Sequence, residues 1–175
     1  MENESAQGQE KLSFRIRRMR LEDIPQVVAI DQVSFSLPWS ERSFRFELTQ
    51  NQNSRSWVCE SVSTEGTTKI VGMMVIWLVV DEAHVATIAV DPAYRRRSLA
   101  RRLLAYGLLE LFEEGARVSH LEVRRGNVAA QRLYYEFGYE EVGIRPRYYK
   151  DNFEDAILMT LPEIQPEHLK QILRG

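Results

Sequence analysis

Apolar positions along this chain change period repeatedly, and each change marks an element. Phe14 and Ile16 alternate with Arg15 and Arg17, the two-residue period of a half-buried strand. Over residues 21–35, Leu21, Ile24, Val27, Val28 and Ile30 fall at helical spacing, with Pro25 tolerated in the first turn. Ser36-Leu37-Pro38-Trp39 breaks that pattern as a loop. Ser40 then stands where an N-cap belongs, ahead of a second helix carrying Phe44, Phe46 and Leu48. Residues 57–62 and 70–80 predict a hairpin with turn chemistry at Thr64-Glu65-Gly66. Residues 83–90 predict a further strand. Residues 98–114 predict a helix whose inner stripe is Leu99, Leu103, Leu104, Leu108, Leu111 and Phe112, stopped by Gly115. A short strand over 118–123, a helix over 127–137 ending at Gly138, and strands over 139–143 and 156–161 complete the series. This order predicts an α/β fold, a mixed sheet with helices on both faces.

Composition narrows the class. With 175 residues, 44% of them hydrophobic, the chain can bury one proper core. The expected division is a polar tail over 1–12, one domain over 13–162, and a C-terminal tail over 163–175 that can be helical. The net charge of -2 speaks against bulk nucleic-acid binding. The run over 70–80 is apolar on both faces but too short to cross a bilayer, which takes about 20 residues. No membrane attachment is expected. Residues 1–11 are polar and lack the apolar core of a signal peptide. Cys59 is the single cysteine, which fits a reducing, cytoplasmic setting and excludes a disulfide framework. His84, His120 and His168 form no ligand pattern, so no metal is expected.

Candidate chemistry concentrates at Val90-Asp91-Pro92-Ala93-Tyr94-Arg95-Arg96-Arg97-Ser98-Leu99-Ala100. An apolar strand enters a proline turn, and three arginines precede an amphipathic helix. The N–H groups of a helix first turn have no partner within the helix, and the dipole there favours an anion. Basic side chains at that point suit a phosphorylated ligand, most simply a pyrophosphate. A solvated basic face is the plainer alternative.

These residues resemble the signature of the GNAT acetyltransferase superfamily. Its acetyl-CoA motif is Gln or Arg, two variable residues, Gly, one variable residue, then Gly or Ala, and it falls on Arg95 to Ala100. Three further segments sharpen the resemblance. They are Ser36-Leu37-Pro38-Trp39-Ser40-Glu41; Leu121-Glu122-Val123-Arg124, followed by Asn127 and Leu133-Tyr134-Tyr135-Glu136-Phe137-Gly138-Tyr139; and Arg147-Tyr148-Tyr149 with Glu154-Asp155-Ala156. Together they look like the ribosomal-protein-alanine N-acetyltransferase (RimI-type) branch. The resemblance covers residues 14–162 and implies a mostly antiparallel sheet of about seven strands. One residue departs from the motif: Ser98 stands where glycine is usual, adding a Cβ to a backbone that must approach phosphates closely.

The implied reaction moves acetyl from acetyl-CoA, as cosubstrate, to the N-terminal amine of a protein in a ternary complex. A peptide α-amine has a pKa near 8 and is roughly a tenth neutral at pH 7, far more than lysine. Glu122 is the expected general base: Leu121 and Val123 point to one face of its strand and Glu122 to the other, the face that the resemblance places at the substrate amine. A surface glutamate is the plainer alternative. Tyr134 is the expected general acid toward the leaving sulfur, against a packing role in the stripe of Ala130, Leu133 and Phe137. The resemblance assigns the cofactor to Ile88, Ala89, Val90, Arg95, Arg96, Arg97, Ser98, Leu99, Ala100, Arg101 and Asn127. Residues 87–90 would splay from the Glu122 strand and offer Ile88 and Val90 backbone groups to pantetheine amides. Asn127 can equally cap its own helix. Phe35, Pro38, Trp39, Tyr148 and Tyr149 would line the acceptor peptide. The expected partner is a protein N-terminus, ribosomal or otherwise nascent, and the expected state a monomer or weak dimer. A lysine or small-molecule acetyltransferase, and a non-catalytic acyl-CoA-binding module, are the alternatives. Tyr148-Tyr149 argues against the first, and the pair Glu122 and Tyr134 against the second.

Overall fold

The computed structural model describes residues 12–175. The expected polar tail therefore falls, apart from Leu12, outside the described residues. The elements run β1 (Ser13–Arg18), α1 (Ile24–Ser34), α2 (Glu41–Thr49), β2 (Ser54–Val62), β3 (Thr68–Val79), β4 (Glu82–Val90), α3 (Leu99–Glu113), β5 (Val118–Arg124), α4 (Val128–Glu136), β6 (Glu140–Arg145), β7 (Ala156–Leu161) and α5 (Pro166–Arg174). One seven-stranded sheet has the order β1-β2-β3-β4-β5-β7-β6. Every neighbouring pair is antiparallel except β4 with β5, which α3 joins in parallel. This is the α/β architecture the periodicity predicts.

The sheet is covered on both faces. On one, Ile24, Val27, Ile30 and Phe44 of α1 and α2 pack on Val58, Met73 and Val75. On the other, Leu103, Leu104, Leu108 and Leu111 of α3 pack on Trp57, Met74 and Ile76. This two-sided cover explains the unbroken apolar run of β3, where residues 70–76 are all buried. Gly107 of α3 faces β3, where a Cβ would crowd Met74, Ile76 and Trp57. Phe46, expected with the apolar residues of α2, is largely exposed.

Most element ends shift from their predicted bounds by one to three residues. The first helix starts at Ile24, after a single 3-10 turn at Leu21–Asp23. That turn is pinned to β1: the Arg17 guanidinium reaches Asp23 Oδ2 at 2.7 Å and Glu60 Oε1 at 2.5 Å. Residues 163–175, the expected C-terminal tail that can be helical, carry α5. Ile164 and, on α5, Leu169 and Ile172 are buried in the core beside α3.

Candidate active site

The pairing of β4 with β5 runs from Glu82–Val118 to Val85–Leu121 and stops. Beyond it β4 keeps its bonds to β3 as far as Val90, and β5 keeps its bonds to β7 as far as Arg124. The facing edges at Thr87–Val90 and Glu122–Arg124 thus part, and backbone groups on the inner edge of β4 have no strand to pair with. A cleft of about 1520 Å³ opens at this seam. Ile88, Ala89, Val90, Glu122, Asn127 and Tyr134 all line it.

The basic turn forms one end of the cleft. Asp91 Oδ1 accepts from Ala93 N at 2.9 Å, holding a 3-10 turn at Pro92–Tyr94. Arg95 Nε donates to Val90 O at 3.1 Å. Arg96 and Ser98 both adopt left-handed backbone, with φ of 61° and 57°. Ser98 therefore holds the conformation that glycine adopts without strain, and its side chain makes no capping bond to α3. The chain curls here and delivers the N-terminus of the 15-residue α3 to the cleft wall, along Ser98, Leu99, Ala100 and Arg101. Arg95 and Arg96 join that wall, whereas Arg97 does not and lies 6.0 Å from the Tyr94 ring centroid. Arg132 of α4 lines the cleft too; its place on a helix gave no sequence signal.

Glu122 and Tyr134 approach the cleft from different elements. Leu121 and Val123 are buried while Glu122 points the other way, its side chain 37% exposed and 3.2 Å from Arg145 Nη1. Tyr134, the buried residue of α4, packs against Tyr139 with ring centroids 5.6 Å apart. Burial pushes its phenol well above the usual tyrosine range, so it stays protonated at neutral pH. Asn127 caps α4 by accepting from Ala130 N at 3.1 Å, and it lines the cleft as well.

The other end is framed by the α1–α2 loop and the β6–β7 loop. Phe35 and Trp39 of the first and Tyr149 of the second line the cleft. Trp39 is set by its backbone N–H, which donates to the fully buried Asp31 at 2.6 Å. Tyr149 is pushed up to about 12, mainly by burial. Pro38 and Tyr148 do not line the cleft. Tyr148 lies edge-on to Tyr149 at 5.2 Å and is 41% exposed. Arg124, Glu154 and Ser36, which stand in the resembling segments but were given no role from sequence, all line the cleft. His84 sits beside Glu82 at 2.9 Å. Among the described residues no group of three or more His, Cys, Asp or Glu side chains could hold a metal ion. Nor, among them, is any helix long and apolar enough to cross a membrane.

Comparison with known proteins bears on this site. The model of the Acetyltransferase (GNAT) family matches residues 24–139. An Escherichia coli K12 protein, "[Ribosomal protein bS18]-alanine N-acetyltransferase", is 38% identical over 149 residues, covering 84% of this chain and 96% of that protein. A Bacillus subtilis relative whose name carries the same activity provisionally is 41% identical over 149 residues, covering 85% and 95%. The crystal structure of the ribosomal-protein-S18-alanine N-acetyltransferase from Escherichia coli superposes with a TM-score of 0.76 at 34% identity, covering 87% of this chain and 96% of that one.

Proposed function

The chain belongs to the GNAT acetyltransferase family, and from that premise we propose that it acetylates the N-terminal amine of a protein, with the bS18 alanine named for its relatives as the expected acceptor. The observation that carries this reading is the seam itself: Glu122 and Tyr134 open into one cleft whose far end is the arginine-rich turn. Acetyl-CoA, the family's donor, supplies an acyl group already activated as a thioester. The residues fit it. The unpaired inner edge of β4 offers backbone donors and acceptors to a pantetheine-like arm, and α3 with Arg95, Arg96 and Arg101 offers charge and N–H groups to a pyrophosphate.

Glu122 takes the proton that keeps the acceptor an ammonium, directly or through one water. Its exposed side chain lets that proton pass on to solvent. Tyr134 faces the leaving sulfur. Its phenol, protonated at neutral pH, is the acid that offers its O–H to the sulfur as the C–S bond breaks. It stabilises the developing charge by hydrogen bonding. Phe35, Trp39 and Tyr149 guide the acceptor chain to Glu122.

The test mixes purified protein, acetyl-CoA and a peptide bearing the bS18 N-terminus, with an Nα-blocked copy and a lysine-containing copy as controls. CoA release and a mass gain are expected with the free N-terminus alone. Acetylation of the blocked peptide, or of a polyamine in preference to the free N-terminus, would overturn the reading.

A further inference from the structure

Arg124, two residues beyond Glu122 on β5, has no part in the chemistry above, yet more side chains converge on it than on either proposed catalytic group. Its Nη2 donates to Ser36 Oγ at 3.2 Å and to both oxygens of Asp151 at 3.0 Å. Its Nη1 donates to Glu154 Oε2 at 3.2 Å and to Asn152 Oδ1 at 3.3 Å. Its guanidinium stacks 3.8 Å from the centroid of Tyr149. Ser36 belongs to the α1–α2 loop, and the others to the β6–β7 loop. The two loops also touch directly, through the Ser36 hydroxyl and the Asp151 carboxylate.

The β6–β7 side of this cluster is anchored in turn. Glu154 Oε1 accepts from Gly126 N at 2.6 Å, an approach that a side chain at Gly126 would obstruct, because its Cβ would sit 2.8 Å from that oxygen. Tyr149 N donates to Glu154 O at 3.1 Å, and Phe153 N to Tyr149 O at 2.8 Å, so the loop is a folded turn and not a loose flap. Asp151 and Glu154 are like charges that repel unless a cation lies between them. Their carboxyls are held below the usual range, Asp151 first by the Ser36 hydroxyl and Glu154 first by the Gly126 N–H, with Arg124 adding to both. A planar five-donor fork can serve two loops at once, whereas an ammonium is a point charge.

We propose that Arg124 is a positioning residue that locks the α1–α2 and β6–β7 loops together across the cleft, so that a single guanidinium sets the width and alignment of the acceptor channel. This rests on the reading of those loops as the acceptor side. The arginine-rich turn proposed for the donor's pyrophosphate lies at the opposite end of the cleft from the lock.

The experiment compares wild type with Arg124→Ala and Arg124→Lys. For Arg124→Ala the acceptor-peptide KM is expected to rise at least tenfold, while the Kd for acetyl-CoA by calorimetry stays within twofold. Arg124→Lys, which keeps the charge but loses the fork, is expected to recover less than half of that rise on a logarithmic scale. Amide hydrogen exchange, followed without any acceptor, is expected to quicken in residues 36–39 and 148–155 together. A second variant, Ser36→Ala with Asp151→Asn, removes the contacts between loops while leaving Arg124 in place, and should raise KM at least threefold even if Arg124→Ala does not fold. An unchanged exchange rate in either loop, full recovery by lysine, or a parallel loss of acetyl-CoA binding would overturn the proposal. Because exchange needs no acceptor, the lock is decided separately from the identity of the substrate.

Discussion

At neutral pH most of an acceptor's α-amine is an ammonium, and Glu122 in the proposed reaction exists to remove that proton. Its worth should therefore depend on pH. Glu122→Gln is expected to lower kcat by about 10²–10⁴ at pH 7 and to lose progressively less as the pH climbs past 8, where the amine is neutral unaided. A steady-state pH series settles this, and a constant deficit from pH 7 to 9 would refute the assignment. Tyr134→Phe removes one hydrogen-bond donor and no charge, because burial keeps the phenol protonated. The expected fall in kcat is about 10², in the range for loss of a single donor to developing charge, and an unchanged rate would make the ring a packing element beside Tyr139. Ser98 is a strained residue whose hydroxyl caps nothing. Glycine would relieve about 1 kcal/mol of left-handed strain and lose a similar amount to unfolded-chain entropy. Ser98→Gly should therefore leave the denaturation midpoint within a degree or two, whereas β-branched Ser98→Val should lower it clearly.

Among the elements, the period of the apolar residues predicted nearly all of them, because each buries one stripe or one face against a neighbour. It failed where contacts, not periodicity, decide the outcome. A helix in Pro166–Arg174 could be expected from the sequence, but its docking could not, because that depends on Leu169 and Ile172 meeting α3. At the site, the place of Glu122 in the cleft was legible because motif and strand alternation both point to it, and that of Asn127 and Tyr134 from the motif alone. Arg124 was not, since its partners Ser36 and Asp151 lie 88 and 27 residues away along the chain. Another long-range tie makes a stability prediction at this scale. Burial alone would raise the Asp23 and Glu60 carboxyls, but Arg17, joined by the Arg20 N–H at Asp23 and by Arg15 at Glu60, outweighs it and holds both below the usual range. Carboxyls that titrate lower in the fold than in the unfolded chain stabilise the fold above the unfolded values near 4. That stability is lost as pH falls through the depressed ones. Arg17→Ala should cost about 3 kcal/mol at pH 7, by urea denaturation, for breaking a largely buried pair. The gap to wild type should narrow below pH 4; a gap independent of pH would mean the arginine acts by packing.

For the whole molecule, the sheet is two antiparallel halves, β1–β4 and β5–β7, sharing only the ladder from Glu82–Val118 to Val85–Leu121. The shared ladder is the shortest of the sheet, four residue pairs against five to nine in the others, and the one parallel pairing among them. Parallel pairing is slightly less stable per residue, so this ladder has the least to hold it and is expected to close last. Refolding from urea should then show secondary structure by far-UV dichroism returning before acetyltransferase activity, and simultaneous recovery of both would contradict this order. A chain whose seam has not closed would hold the arginine turn and the Glu122–Tyr134 pair on separate halves, each part of the chemistry without the whole.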